Sequence, residues 1–233
     1  MHMNVTTFAG VMHIDPVDCW IRNHMMGSGR MFEEDLIRNK LAPYVEKAKY
    51  IVDAGANIGC HTVSYAKINP NSRIWSFEPQ SQTFDFLKKN VTVNNLDERV
   101  KIFQSALSHT TGKAQLKSET TQAFPGQGVN RGGLGLGTGG EDITQMTLDS
   151  LNLPGLDFMK IDVEGAEGLV LMGAVNTIRK YKPVITFEHN FQRVDPAAVG
   201  LDVVPTPFEV LVDLGYSVFV HIGENNYITK IEV

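Results

Sequence analysis

The chain has 233 residues, 42% apolar and 20% charged, with a formal net charge of −5. That length and mixture suit a domain with its own buried core and exclude wholesale disorder, coiled coil and collagen. A mildly acidic chain lacks the overall basic field that long nucleic acids select, so no nucleic-acid partner is expected.

Two cysteines, Cys19 and Cys60, are too few for a disulfide framework or a four-ligand zinc site, and a reducing, cytoplasmic setting is the simpler expectation. No apolar run approaches the ~18–20 residues of a membrane span. The opening MHMNVTTFAGVMHIDP lacks a basic stretch followed by an apolar one, so a secretory leader is not expected.

Residues 1–48 read as an N-terminal extension, with a helix expected from about Phe32 to Ala48 that kinks or restarts at Pro43. From residue 49 to 233 short apolar runs alternate with amphipathic stretches. KYIVDAG is the first expected strand, followed by a helix over about Ile58–Lys67. RIWSFEP is the second strand, and in the helix after it Phe84, Leu87 and Val91 recur at helical spacing. RVKIFQSAL is the third strand, LDFMKIDVEG the fourth, AEGLVLMGAVNTIRK a helix, and PVITFEHN the fifth strand. PFEVLVDLGY reads as a helix, and SVFVHI and NYITKIEV as two closing strands joined by a short GENN turn, hence antiparallel. This alternation predicts an α/β three-layer sandwich around a mainly parallel sheet. A Gly-rich segment, 118–141, interrupts the rhythm between strands three and four, and a loop of that length is usually functional or disordered.

The most informative stretch is VDAGANIG. Asp53 ends the first strand and Gly55, Ala56, Asn57 and Gly59 follow before a helix, so backbone and free helix N–H groups can approach a ligand closely. The spacing is not the G-x-G-x-x-G of dinucleotide binders, and a carboxylate before the glycines suits an ammonium group better than a pyrophosphate. Glu78 ends the second strand, where an acid can accept both hydroxyls of a ribose. An ammonium plus a ribose describes S-adenosylmethionine.

VDAGANIGCHT, FEPQ, SALS, TLDSL and KIDVEGAE, in this order, resemble the FkbM family of S-adenosylmethionine-dependent methyltransferases over about residues 50–190. The resemblance implies a class I, Rossmann-like fold with seven strands and an antiparallel last strand. It also implies methylation of a hydroxyl oxygen, often on a sugar, polyketide or other secondary metabolite; a sugar or glycan is the acceptor expected here. It places Asp53, Gly55, Ala56, Asn57 and Gly59 around the methionine part of the cofactor, Glu78 on the ribose, and Ser105 and Ala106 near the adenine.

An alcohol acceptor needs a general base or a metal. Strand four offers Lys160, Asp162 and Glu164 on one face, and strand five offers Glu188, His189 and Asn190. Asp162, Glu164 and His189 are the candidate catalytic residues, with His221 a further option. Adjacent strand ends bring Asp162, Glu188 and His189 together as a candidate site for Mg²⁺ or Mn²⁺, with the two acids working without metal as the alternative. In the Gly-rich segment Arg131 is a candidate acceptor contact, and the segment as a whole a candidate lid over the acceptor. A nicotinamide oxidoreductase or epimerase is disfavoured because neither G-x-G-x-x-G nor a Tyr-x-x-x-Lys pair appears at the right place. A non-catalytic cofactor-binding module remains the other alternative.

Overall fold

The structure is a computed structural model in which residues 3–119, 123–124, 128–189 and 194–231 are described. The chain opens with an antiparallel hairpin, β1 (Met3–Thr7) and β2 (Gly10–Ile14). Helix α1 (Cys19–Ser28) follows, its N-terminus capped by the Asp18 carboxylate, which accepts from Trp20 N and Ile21 N at 3.0 Å each.

The expected helix around Pro43 is continuous in course but mixed in kind. Helix α2 (Glu34–Leu36) passes through a π turn (Ile37–Leu41) into α3 (Ala42–Val45). Proline cannot donate to the carbonyl four residues back and its ring crowds that carbonyl; the wider π turn just before Pro43 relieves both.

The central sheet is built from β3 (Tyr50–Ala54), β4 (Arg73–Phe77), β5 (Val100–Phe103), β11 (Phe158–Ile161), β12 (Val184–Glu188), β13 (Phe219–Gly223) and β14 (Asn226–Thr229). Its spatial order is β13-β14-β12-β11-β3-β4-β5. The five strands from β3 to β12 run parallel, and β14 is inserted antiparallel between β12 and β13. Helices α4 (Cys60–Ile68), α5 (Ser81–Val93), α6 (Glu167–Met172), α7 (Val175–Tyr181) and α8 (Pro207–Asp213) cover it. β3, β4, β11 and β12 are buried on both faces over most of their length and read as apolar runs for that reason, whereas the edge strand β5 leaves Lys101 exposed. Among the described residues no helix is long and apolar enough to cross a membrane.

Three expectations need correction. The run RVKIFQSAL is two strands: β5 stays in the main sheet, while β6 (Ala106–Leu107) pairs with β10 (Gly139–Met146) in a separate sheet that also holds β7 (Gly112–Lys117). The Gly-rich segment is therefore partly strand; it includes the small ladder of β8 (Ala123–Phe124) and β9 (Gly128–Val129), and its residues 120–122 and 125–127 lie outside the described residues. The expected single helix AEGLVLMGAVNTIRK is two, α6 and α7, broken at Gly173. A Cβ there would lie 2.0 Å from the Ser108 carbonyl oxygen, so the chain crosses that backbone too closely for any side chain.

The N-terminal segment shares the core of the sheet domain. Met12, Ile14, Met25, Ile37, Leu41 and Val45 are buried with Ile51, Val63 and Leu87 in one apolar cluster. Two asparagines of α5 hold the hairpin by its backbone: Asn94 accepts from Val11 N at 3.0 Å and donates to Val11 O at 2.7 Å, and Asn90 donates to His13 O at 3.0 Å.

Candidate active site

The register of β11 between β3 and β12 sets Lys160 beside Asp53 and Ile161 beside Phe187, so the ends of the three strands meet at one edge of the sheet. Asp53 is fully buried and accepts from the Thr62 hydroxyl of α4 at 2.6 Å. The Lys160 ammonium, 6% exposed, lies 3.7 Å from Asp53 and 3.0 Å from Asp162 and donates to Gly55 O at 2.9 Å. One buried cation thus ties the first strand, the glycine turn and the fourth strand together. Burial works against its charge, and the flanking Asp162 and Asp53 carboxylates more than offset that, raising its pKa above the ordinary lysine value.

The turn after β3 needs its small residues. Gly55 adopts φ +76°, and a Cβ on it would lie 1.7 Å from the Asp162 carbonyl oxygen. Gly55 N and Ala56 N both donate to Phe77 O, at 3.0 and 2.9 Å, so the turn leans over the end of β4. There Glu78 accepts from Asn57 N and Gln80 N at 2.9 Å each. Burial pushes the Glu78 carboxyl up to about 7, against the pull of those two amides.

A cleft opens between the glycine turn, Glu78, Ala106 and the Asp162–Glu164 stretch. Its open volume is about 60 Å³, well under the roughly 300–1,000 Å³ of small-molecule pockets. Arg131, Gly132, Leu134 and Leu136 of the Gly-rich segment fill it from above. Contact is direct: a Cβ on Gly132 would lie 2.4 Å from the Asn57 side-chain amide. The roof is latched to the N-terminal segment, where the Asp18 carboxylate that caps α1 also accepts from Arg131 N at 3.1 Å and Gly132 N at 3.4 Å. The Arg131 guanidinium pairs with Asp15 and, at 2.9 Å, with Glu119. Arg131, expected to contact an acceptor, spends its charge on this latch.

Asp162, Glu164 and Glu188 each offer a carboxylate oxygen, and these oxygens all lie within 4.8 Å of one another. For Asp162, burial raises the pKa, but the charge and hydrogen bond of Lys160 outweigh it and hold the carboxyl below its ordinary value. For Glu188 burial first, then the charges of Asp162 and Glu164, raise the pKa. At neutral pH the pair therefore settles with Glu188 protonated and donating to ionised Asp162.

Of the expected cofactor residues, Gly55, Asn57, Glu78 and Ala106 line the cleft. Asp53, Ala56, Gly59 and Ser105 stand behind it: Asp53 is sealed under the turn, Gly59 starts α4 at φ +95°, and the Ser105 hydroxyl donates to Thr144 O at 3.2 Å. The expected acid–histidine group is corrected. Glu164 joins Asp162 and Glu188, whereas His189 turns away, its amide donating to Asn225 O at 2.9 Å and its ring set edge-on to Phe208 at 5.2 Å. Neighbouring strand residues point to opposite faces, which separates Glu188 from His189. Asn190 lies outside the described residues. His221 is exposed on the terminal hairpin, bonded to Glu224 O. Cys60 is buried and its thiol is pushed up to about 12 by that burial, which makes it inert.

Sequence reasoning gave no role to Lys160 or Glu33. A lysine inside the apolar run FMKI is itself a signal, because a buried lysine must be paired. Glu33 comes from a distant segment and reaches the Nε2 of buried His61 at 2.8 Å, while His61 Nδ1 meets the Tyr65 hydroxyl at 2.7 Å.

Comparison with known proteins agrees with this geometry. The chain is 37% identical over 67 residues to methyltransferase sdnD of Sordaria araneosa, covering 29% of this chain and 26% of that protein. It is 29% identical over 170 residues to the hexuronic acid methyltransferase AglP of Haloferax volcanii, covering 72% of this chain and 66% of that one. It thus spans about a quarter and just under two thirds of these two curated relatives. The crystal structure of an FkbM methyltransferase from Methylobacillus flagellatus KT superposes with a TM-score of 0.52 at 18% identity, over 78% of this chain and 43% of that one, a likeness of fold. The model of the methyltransferase FkbM domain matches residues 53–215. The chain belongs to the FkbM methyltransferase family.

Proposed function

We propose that the protein transfers the methyl group of S-adenosylmethionine to a hydroxyl oxygen of a sugar or glycan. The observation that carries this reading is Glu78, a buried carboxylate fixed by two backbone amides at the end of β4 beside a turn that admits no side chain at Gly55. Each Glu78 oxygen keeps acceptor capacity for a ribose hydroxyl. The donor set fits the cofactor, and its entry requires the roof over Gly132 to lift. The Haloferax relative, named for hexuronic acid, supports a sugar as the acceptor class.

The cofactor supplies an activated methyl group on a sulfonium. The protein's task is to align the acceptor oxygen and take its proton. Asp162, ionised beside Lys160, accepts a hydrogen bond from the acceptor hydroxyl. Asp162 would take the proton that this hydroxyl gives up on methylation, with the cofactor, held by Glu78 and the glycine turn, supplying the methyl group and leaving as a neutral thioether. Glu188, donating to Asp162, fixes the orientation of the carboxylate.

A second reading is favoured by the convergence of three carboxylates within 4.8 Å. Asp162, Glu164 and Glu188 offer the hard oxygen ligands that Mg²⁺ or Mn²⁺ takes, and such an ion would acidify the acceptor hydroxyl. Full turnover in excess chelator removes this reading; loss that only a divalent ion restores supports it.

Calorimetry with S-adenosylhomocysteine tests the cofactor assignment. Glu78→Ala is expected to lose about 1–3 kcal/mol of binding, the scale of hydrogen bonds to a charged group. Unchanged affinity removes Glu78 from the ribose, and tight binding of NADH in its place removes the reading as a whole.

A further inference from the structure

A second cavity, of about 850 Å³, lies between α1, the segment from Arg30 to Lys40 and the β13–β14 hairpin. All its lining residues fall within 19–40 and 222–226, outside the 53–215 span of the family match. The family domain thus supplies the cleft at Glu78, while the flanking segments of this chain build the larger chamber. One lining residue leads to the acid group. Asn226 lines it and is the cross-strand partner of Glu188, so the two side chains leave the same face of the sheet. Glu33 lines it as well and reaches the ring of His61, on the first turn of α4 behind the glycine turn.

We infer that this chamber is the acceptor site and that it takes a sugar bearing no carboxylate. The inference rests on the methyl-transfer reading above and names its acceptor class. The size suits a mono- or disaccharide. Trp20, 57% exposed although it is a large aromatic, stands in the lining and offers an uncovered ring on which the C–H face of a sugar can stack. Glu33 sits at φ +56°, a left-handed conformation that costs a non-glycine residue energy. His61 engages its Oε2 and leaves Oε1 to accept from a sugar hydroxyl. The π turn of Ile37–Leu41 brings Asn39 and Lys40 into the same wall.

The charge balance decides against a hexuronate. Arg30 and Lys40 face Glu33, Glu34, Asp35 and Glu224, and Arg38 pairs with Glu34 at 3.1 Å, so four carboxylates meet three cations. Arg30 is already held by Asp35 at 2.6 Å and by Glu34 at 3.5 Å. A uronate would enter a field of its own sign, whereas neutral and amino sugars would not.

Fluorescence of the full chain reads this directly, because the other tryptophan, Trp75, is buried in the sheet. Without cofactor, oligosaccharides of neutral hexose, of glucosamine and of galacturonate are titrated in turn. A saturating change is expected with a neutral or glucosamine oligomer, at least tenfold tighter than with galacturonate. Glu33→Gln should weaken it several-fold, and Glu224→Lys should narrow the margin over galacturonate. Preference for galacturonate, or saturation by none of the three, overturns the inference. Parallel calorimetry with S-adenosylhomocysteine separates the two claims. Sugar binding without that ligand's binding removes the methyl-transfer reading alone, and the reverse removes the acceptor chamber alone.

Discussion

Replacing Lys160 with methionine keeps most of the side-chain volume and deletes the ammonium. Three oxygen partners lose their cation together: Gly55 O at 2.9 Å, Asp162 at 3.0 Å and Asp53 at 3.7 Å. Removing one side of a buried ion pair costs about 3–5 kcal/mol, because the remaining charge stays desolvated. That loss is a large part of the roughly 5–15 kcal/mol that holds a domain folded. Asp162 is held below its ordinary value in the native state, so its share of the stability is present above the unfolded value, near 3.8, and is lost as pH falls through the folded one. In Lys160→Met the sign reverses, since Asp162, stranded without its cation, regains neutrality by taking up a proton and the folded variant gains as the pH drops. Urea unfolding at pH 7 and pH 5 should therefore show a deficit of about 3–5 kcal/mol at pH 7 that narrows at pH 5. A deficit below about 1 kcal/mol, the scale of a surface pair, or a gap that widens on acidification, would refute the role given to this cation.

Arg131→Ala should release the roof from Asp15 and Glu119; amide exchange over residues 128–136 should accelerate and S-adenosylhomocysteine should associate faster, whereas unchanged exchange would show that the latch holds nothing. Glu167, whose carboxylate accepts from Val163 N at 3.2 Å and Gly165 N at 3.1 Å, is raised by burial from 4.5 to about 7. Its folded state binds the extra proton between those values, so the group favours folding below about 4.5 and that contribution fades as pH rises through 7. Glu167→Gln, which preserves the acceptor oxygen, should match or exceed the parent at pH 8 and lose that advantage at pH 5, as thermal unfolding at the two pH values will show.

Much of the site was legible because it sits where strands end. Asp53, Glu78, Asp162 and Glu188 each close an apolar run, and the alternation of strands with helices already implied that the fourth and fifth strands are neighbours, as the pairing of Ile161 with Phe187 bears out. The roles were less legible than the positions. Asp53 looked like a ligand contact but is sealed under Gly55 and neutralised by Lys160, which requires knowing that β11 lies beside β3. His189 was grouped with Glu188 although the period of a strand puts consecutive residues on opposite faces. The Gly-rich segment was recognised as a lid candidate but placed over the acceptor. Its latch to Asp15 and Asp18 spans more than 110 residues of sequence, and no local pattern carries such a contact. Glu33 and the chamber beyond it escaped for the same reason.

The central claim is that Asp162 takes the acceptor proton while Glu78 holds the cofactor. It is tested most directly by incubating the protein with S-adenosylmethionine labelled in the methyl group and a panel of neutral, amino and uronic oligosaccharides, comparing the parent chain with Asp162→Asn. The account predicts label in a sugar hydroxyl ether with one S-adenosylhomocysteine formed per methyl transferred, and at least a hundredfold slower transfer in Asp162→Asn, a loss on the scale of general-base catalysis, with S-adenosylhomocysteine affinity retained. Transfer by Asp162→Asn at the parent rate, or label that appears on no hydroxyl although the cofactor product binds, would contradict it.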